Sequence, residues 1–179
     1  MRAAFLAVAV LGLAAAAYWF RGHRVAHREP SADGTALLRQ HVLSREIFKQ
    51  AEPAPGIRCV VYDWHVGNGI ATLVSFDDGT TSLYLSSGGG VIGAGAHESV
   101  RRAAQLFREE AARVAGRFQP TTDEYPLPAE GRSVVYVITD SATLTLGPLL
   151  SSELVSGKHP MAALARRAQD VITQIRKAT

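Results

Sequence analysis

The sequence predicts an α+β domain. An antiparallel sheet of four to five strands packs three to four helices on one face, behind an N-terminal transmembrane segment. Three observations predict it. The dipeptides Asn68-Gly69 and Asp78-Gly79 join runs of β-branched and aromatic residues into a three-stranded meander. Two stretches, 97–118 and 160–175, repeat apolar residues at helical spacing. The strand–helix–strand alternation that a parallel sheet requires occurs at most once. The expected order is α-β-β-β-α-β(-β)-α-α.

Residues 3–20 (AAFLAVAVLGLAAAAYWF) carry no charge. As a helix they reach about 27 Å, close to the roughly 30 Å of a bilayer's hydrocarbon core. Tyr18 and Trp19 suit the headgroup level at its end. Arg21, Arg24 and Arg28 follow directly, and positive charge there resists translocation. The expectation is an anchor over 1–20, a juxtamembrane linker over 21–34 and one domain over 35–179, on the cytoplasmic side. The alternative is an exported chain, since Ala15-Ala16-Ala17 also fits a signal-peptidase site.

In the linker (RGHRVAHREPSADG), His23 and His27 share a helical spacing, but no further ligands stand nearby to complete a metal site. Asp33 is a plausible cap for a helix through Leu37, Leu38, Val42, Ile47 and Phe48, which the Pro53-Ala54-Pro55-Gly56 run stops. Strands are expected over 57–66, 70–76 and 80–86. In the last, Leu83 and Leu85 share one side, and Ser82, Tyr84 and Ser86 share a wetter one. A long helix over 97–118 buries Val100, Ala103, Ala104, Phe107, Ala111, Val114 and Phe118, with its arginines largely outside that stripe. After a three-proline loop come a strand over 133–139, a short one over 143–146, a brief helix opened by Pro148 and closed by Gly157, and a last helix opened by Pro160. The order of elements loosely resembles profilin-like and roadblock-like sensory or scaffolding modules, which divide their strands differently; no motif residue carries the likeness.

Composition narrows the function. A net charge of +3, with no basic stripe interleaved with aromatics, argues against nucleic-acid binding. The single cysteine, Cys59, forbids an intramolecular disulfide or a thiolate metal cluster. No metal, cofactor or catalytic motif is present: H-E-x-x-H, C-x-x-C, an EF-hand loop and G-x-S-x-G are all missing.

One stretch approaches a functional motif. Gly88-Gly89-Gly90-Val91-Ile92-Gly93 matches G-x-G-x-x-G between a strand and a helix. Its surroundings do not suit a dinucleotide. The strand is the third of a meander, and the acidic candidates downstream, Glu109, Glu110, Asp123 and Glu124, fall in a helix or a loop. A looser anion site remains open, built from Ser86, Ser87, Gly88, Gly89, Gly90 and Gly93 with His97 at the helix start. The simpler reading is a glycine corner with positive φ. Cys59, Asp63 and His65 share a strand face, but the first and last stand about 20 Å apart and cannot form one triad. The expectation is a membrane-anchored, non-catalytic binding or scaffolding domain whose partner is a protein, or another copy through an exposed sheet edge. The alternative is a domain that binds a small anion or nucleotide-like ligand at 86–99.

Overall fold

A computed structural model describes residues 31–49, 51–122 and 124–179. The expected anchor and most of the linker lie outside the described residues. Among those described, no helix is long and apolar enough to cross a membrane.

Helix α1 (Ala32–Leu43) begins three residues inside the expected linker. Its cap is Ser31 rather than Asp33: the Ser31 hydroxyl accepts from the Gly34 N–H at 3.2 Å, and Asp33 sits in the first turn. Strands β1 (Cys59–Val66), β2 (Gly69–Phe76) and β3 (Thr81–Leu85) form the meander; the second turn falls at the expected Asp78-Gly79, but the first is made by Gly67 and Asn68, because Gly69 already opens β2 opposite Val66. A two-residue strand β4 (Gly90–Val91) folds back on β3. Helix α2 (Glu98–Arg113) leads to another two-residue strand, β5 (Gln119–Pro120). Then follow β6 (Arg132–Ile138), β7 (Thr143–Leu150), α3 (Ser151–Ser156) and α4 (Ala162–Ala178).

The sheet runs β4-β3-β2-β1-β6-β7-β5, and every neighbouring pair is antiparallel. Its seven strands exceed the four to five expected, because a two-residue ladder is too short to leave a period in the sequence. Pro148 lies inside β7 rather than opening a helix; α3 starts at Ser151, and Gly157, at φ 76°, ends it as expected.

The helices lie on both faces, not one. Val60, Tyr62, Leu73, Val135 and Val137 face α2 and α4, which contribute Val100, Ala104, Phe107, Leu164, Ala168, Val171 and Ile172. Cys59, Val61, Val74, Tyr84, Val134, Tyr136 and Ile138 face α1 through Val42 and Leu43. This second layer reverses the expected wetter side of β3: Ser82 and Tyr84 are only 2% and 5% exposed. The sequence hid it because the buried side of α1 mixes Thr35 and Arg39 with Val42 and Leu43, so its stripe is polar.

Burial of Tyr84 has a measurable consequence. Desolvation pushes its phenol up to about 12 from 10.0, against a hydrogen bond to Ser82 that lowers it. The folded state therefore holds this proton more tightly than the unfolded chain. Its contribution is intact below pH 10 and is lost as pH rises through about 12, a loss of about 3 kcal/mol at 1.36 kcal/mol per unit. Denaturant unfolding between pH 9 and 12 should show the decline, and Tyr84→Phe should lessen it, leaving the part due to Tyr62 and Tyr136, which burial also pushes up. A slope unchanged in that variant would remove Tyr84 as its source.

The register also gives the sheet two distinct ends. At one, Val66 pairs with Gly69, the Ser86 N–H donates to the Ile70 carbonyl at 2.8 Å, and Arg132 pairs with Leu150. At the other lie the 77–80 and 139–142 turns. Helix α1 runs from the first end to the second. The Thr35 hydroxyl donates to the Leu85 carbonyl at 3.2 Å near its start, and the Thr143 hydroxyl donates to the Leu43 carbonyl at 2.8 Å at its close.

Candidate functional site

The glycine stretch is a hairpin followed by a return along the sheet edge. Residues 86–89 make the β3–β4 turn, in which the Gly88 N–H donates to the Leu85 carbonyl at 2.9 Å. The Ser86 hydroxyl accepts from the Ile70 N–H at 2.9 Å, which ties this turn to β2. Ser87 is exposed. The chain then runs back toward the other end of the sheet. The Gly93 N–H donates to the Ser82 hydroxyl at 3.1 Å, and Gly95 lies against the Gly79 carbonyl. His97 follows as the exposed N-cap residue of α2, with no side-chain capping bond.

The fold thus gathers Ser86, Ser87, Gly88 and Gly89 at one end and places Gly93 and His97 toward the other. The five residues of β3 separate the two groups by roughly 15–20 Å at about 3.3 Å per residue. Between them sits Gly90, at φ 129°, tight against the Leu83 carbonyl. The arrangement a dinucleotide needs, a parallel strand leading directly into a helix N-terminus, does not occur: β3 is antiparallel to both neighbours, and a 3-10 turn (Ala94–Ala96) intervenes before α2.

Two ionic joints hold the second layer, and neither was visible from motif spacing. Asp63 is fully buried on β1. Arg39 of α1 donates to its Oδ2 through Nε at 2.9 Å and Nη2 at 2.7 Å, while Thr72 donates to Oδ1 at 2.6 Å. Arg39 also donates to the Tyr125 carbonyl at 2.9 Å, and Tyr136 to the Pro126 carbonyl at 3.1 Å. Helix, sheet and proline loop are thereby joined around one carboxylate. Burial pushes the Asp63 carboxyl up, and Arg39 and Thr72 pull it back. The only sequence hint was a carboxylate on the otherwise apolar, alternating face of β1.

The second joint stands at the opposite end. Arg58 bridges Asp77 at 2.8 Å and Asp140 at 2.5 Å, donates to the Glu52 carbonyl at 3.1 Å, and lies over the Phe48 ring. It clamps the 51–58 segment to two turns. Cys59, beside it, is wholly buried, and burial pushes its thiol well up, so it is a core residue and not a nucleophile at neutral pH. His65, near the β1–β2 turn, shares no bond with Cys59 or Asp63. Among the described residues no group of three or more His, Cys, Asp or Glu is placed to hold a metal ion.

The surface depressions are open. One runs between α2 and α4, lined by Glu98, Ser99, Arg102, Ala103, Leu106, Asp170, Thr173 and Gln174. A second lies at the other end of the same helix pair, with Glu110, Arg113 and Arg117 facing Pro160 and Met161. The two helices are therefore antiparallel. Leu106 is 39% exposed in the first groove. No family model, curated protein or solved structure matches this chain.

Proposed function

We propose that this chain is a membrane-tethered, non-catalytic binding or scaffolding domain whose partner is a second copy of itself. The carrying observation is the open α2–α4 groove. Its lining is apolar at Ala103 and Leu106 and carries both signs of charge in Glu98, Arg102 and Asp170. A surface of mixed sign around an apolar strip suits an isologous two-fold contact, in which each patch meets its own copy. The tether comes from the uncharged 3–20 run and the arginines that follow it.

The sheet edge draws less support as the contact. Both outermost strands are two residues long, and Pro148 removes a donor from β7 where β5 no longer covers it. An anion site at 86–99 likewise draws less, since Ser86 and the Gly88 and Gly93 amides already have partners within the fold.

Light scattering on the chain from Ser31 onward, across a concentration range, tests the proposal. Dimers that weaken at least tenfold in Leu106→Glu, with unfolding unchanged, are expected. A strictly monomeric domain at every concentration would count decisively against it.

A further inference from the structure

Helix α2 carries its exposed charges in an order that complements itself. Its outward side presents Glu98, Arg102, Gln105, Leu106, Glu109 and Arg113, a helical stripe in which every residue is exposed. The opposite side, with Val100, Ala104, Phe107 and Ala111, is buried in the core. From the N-terminus the signs along the stripe run minus, plus, an uncharged middle, minus, plus. Glu98, Arg102 and Leu106 line the α2–α4 groove, and Arg113 lines the depression at the far end of the same helix pair. The stripe thus runs along the surface proposed above to meet a second copy.

The order is symmetric about Gln105 and Leu106. Arg102 and Glu109 lie three residues to either side of that pair, and Glu98 and Arg113 lie seven. A two-fold axis crossing α2 there lays the helix antiparallel on its own copy. Arg102 then stands opposite Glu109 of the other copy, and Glu98 opposite its Arg113, each contact made twice. At 1.5 Å per residue the four charges extend over about 22 Å of helix. A parallel alignment in register would set every charge against its own sign, which is costly. The pattern therefore selects the antiparallel contact.

Pairing within the helix accounts for only part of these charges. Glu98 and Arg102 are joined at 3.2 Å, with side chains 82% and 76% exposed. Glu109 is different. The arginine four residues beyond it, Arg113, turns to Glu110 instead, at 2.6 Å. Glu109 accepts only from the Gln105 amide, at 2.9 Å, and makes no salt bridge among the described residues. It is an exposed anion left for a cation from elsewhere. Exposed pairs such as Glu98–Arg102 contribute little to stability, so Arg102 can turn to a new partner at little cost. The groove's remaining charge, Asp170, is paired within α4 to Arg167 at 3.5 Å.

We infer that α2 packs antiparallel on α2 of a second copy, with Arg102 against Glu109 as the contact that specifies this chain as its own partner. The inference rests on the dimer proposed above and assigns the residues that make it selective. Leu106 and Gln105 fill the centre of the seam, and the charges set its register.

Two charge reversals test it, on the full chain in detergent micelles carrying a donor or an acceptor fluorophore at its C-terminus. Arg102→Glu puts like charges at both copies of the contact, and so does Glu109→Arg. Energy transfer across a concentration range should show each variant pairing with itself about tenfold more weakly, or worse. Mixed together, the two variants set opposite charges at both contacts, and their heterodimer should return to within about threefold of the wild-type affinity. Variants that pair with themselves as the wild type does, while Leu106→Glu separates the chains, overturn the seam and leave the groove dimer standing. A mixture that stays as weak as its components also overturns the seam. Transfer that is absent at every concentration, or that none of the three substitutions alters, overturns the seam and the groove dimer together.

Discussion

Replacing Asp63 by alanine is expected to destabilise the folded domain by about 3–5 kcal/mol, the cost of stranding a buried guanidinium. Arg39 has a side chain only 10% exposed, and three of its hydrogen bonds hold α1 against β1 and the 125–126 loop. Without the carboxylate, the Thr72 hydroxyl also loses its acceptor, a smaller penalty of about 1 kcal/mol. Removing both charges in Arg39→Met/Asp63→Leu should recover most of the loss, because an apolar pair of similar volume imposes no desolvation cost. Denaturant unfolding of the two single variants and the double gives the coupling directly. A loss below about 1 kcal/mol in Asp63→Ala would mean that α1 is not held by this joint.

The second large effect is expected at Gly90. A Cβ there would meet the Leu83 carbonyl oxygen far inside van der Waals contact, at a φ of 129° that other residues avoid. Backbone strain of about 1–3 kcal/mol and overpacking of similar size add, so Gly90→Ala should cost about 3 kcal/mol or more. Gly89, at φ 86° with open space around its missing Cβ, isolates the conformational part. Gly89→Ala should therefore cost only about 1–2 kcal/mol. Equal losses at the two positions would show that the β3–β4 approach is not tight. The glycines in this account serve the hairpin and the close return of the chain.

Much of the fold was legible because the decisive residues act locally. The turn residues around Asn68 and at Asp78-Gly79 mark two turns, the first of them one residue earlier than Asn68-Gly69 suggests, and the strands between them follow from alternation. The stripe from Val100 to Ala111 fixes α2 in the same way. What the sequence concealed depends on residues far apart along the chain. Arg39 and Asp63 are 24 positions apart, and Arg58 and Asp140 are 82 apart. No spacing rule pairs them, and the first of these joints ties α1 to the second face. That cover in turn buries Tyr84 and Ser82, which alternation alone assigns to a wetter side. Pro148 misled for a related reason: a proline tolerated in an edge strand looks the same in sequence as one opening a helix. The candidate loop 86–99 was legible as a glycine corner, whereas its division between the two ends of the sheet needed β4, a strand too short to leave a pattern.

The same register that carries Gly93 and His97 away from residues 86–89 puts the 67–68 turn, the 86–89 turn and the start of α1 at one end of the sheet.

The proposed membrane tether is tested most directly by alkaline carbonate extraction of membranes containing the full chain, followed by sequencing of its N-terminus. A chain retained in the pellet with residues 1–20 intact is expected, with release into the supernatant when the chain begins at Ser31. A soluble, shortened chain starting near Tyr18 would contradict it.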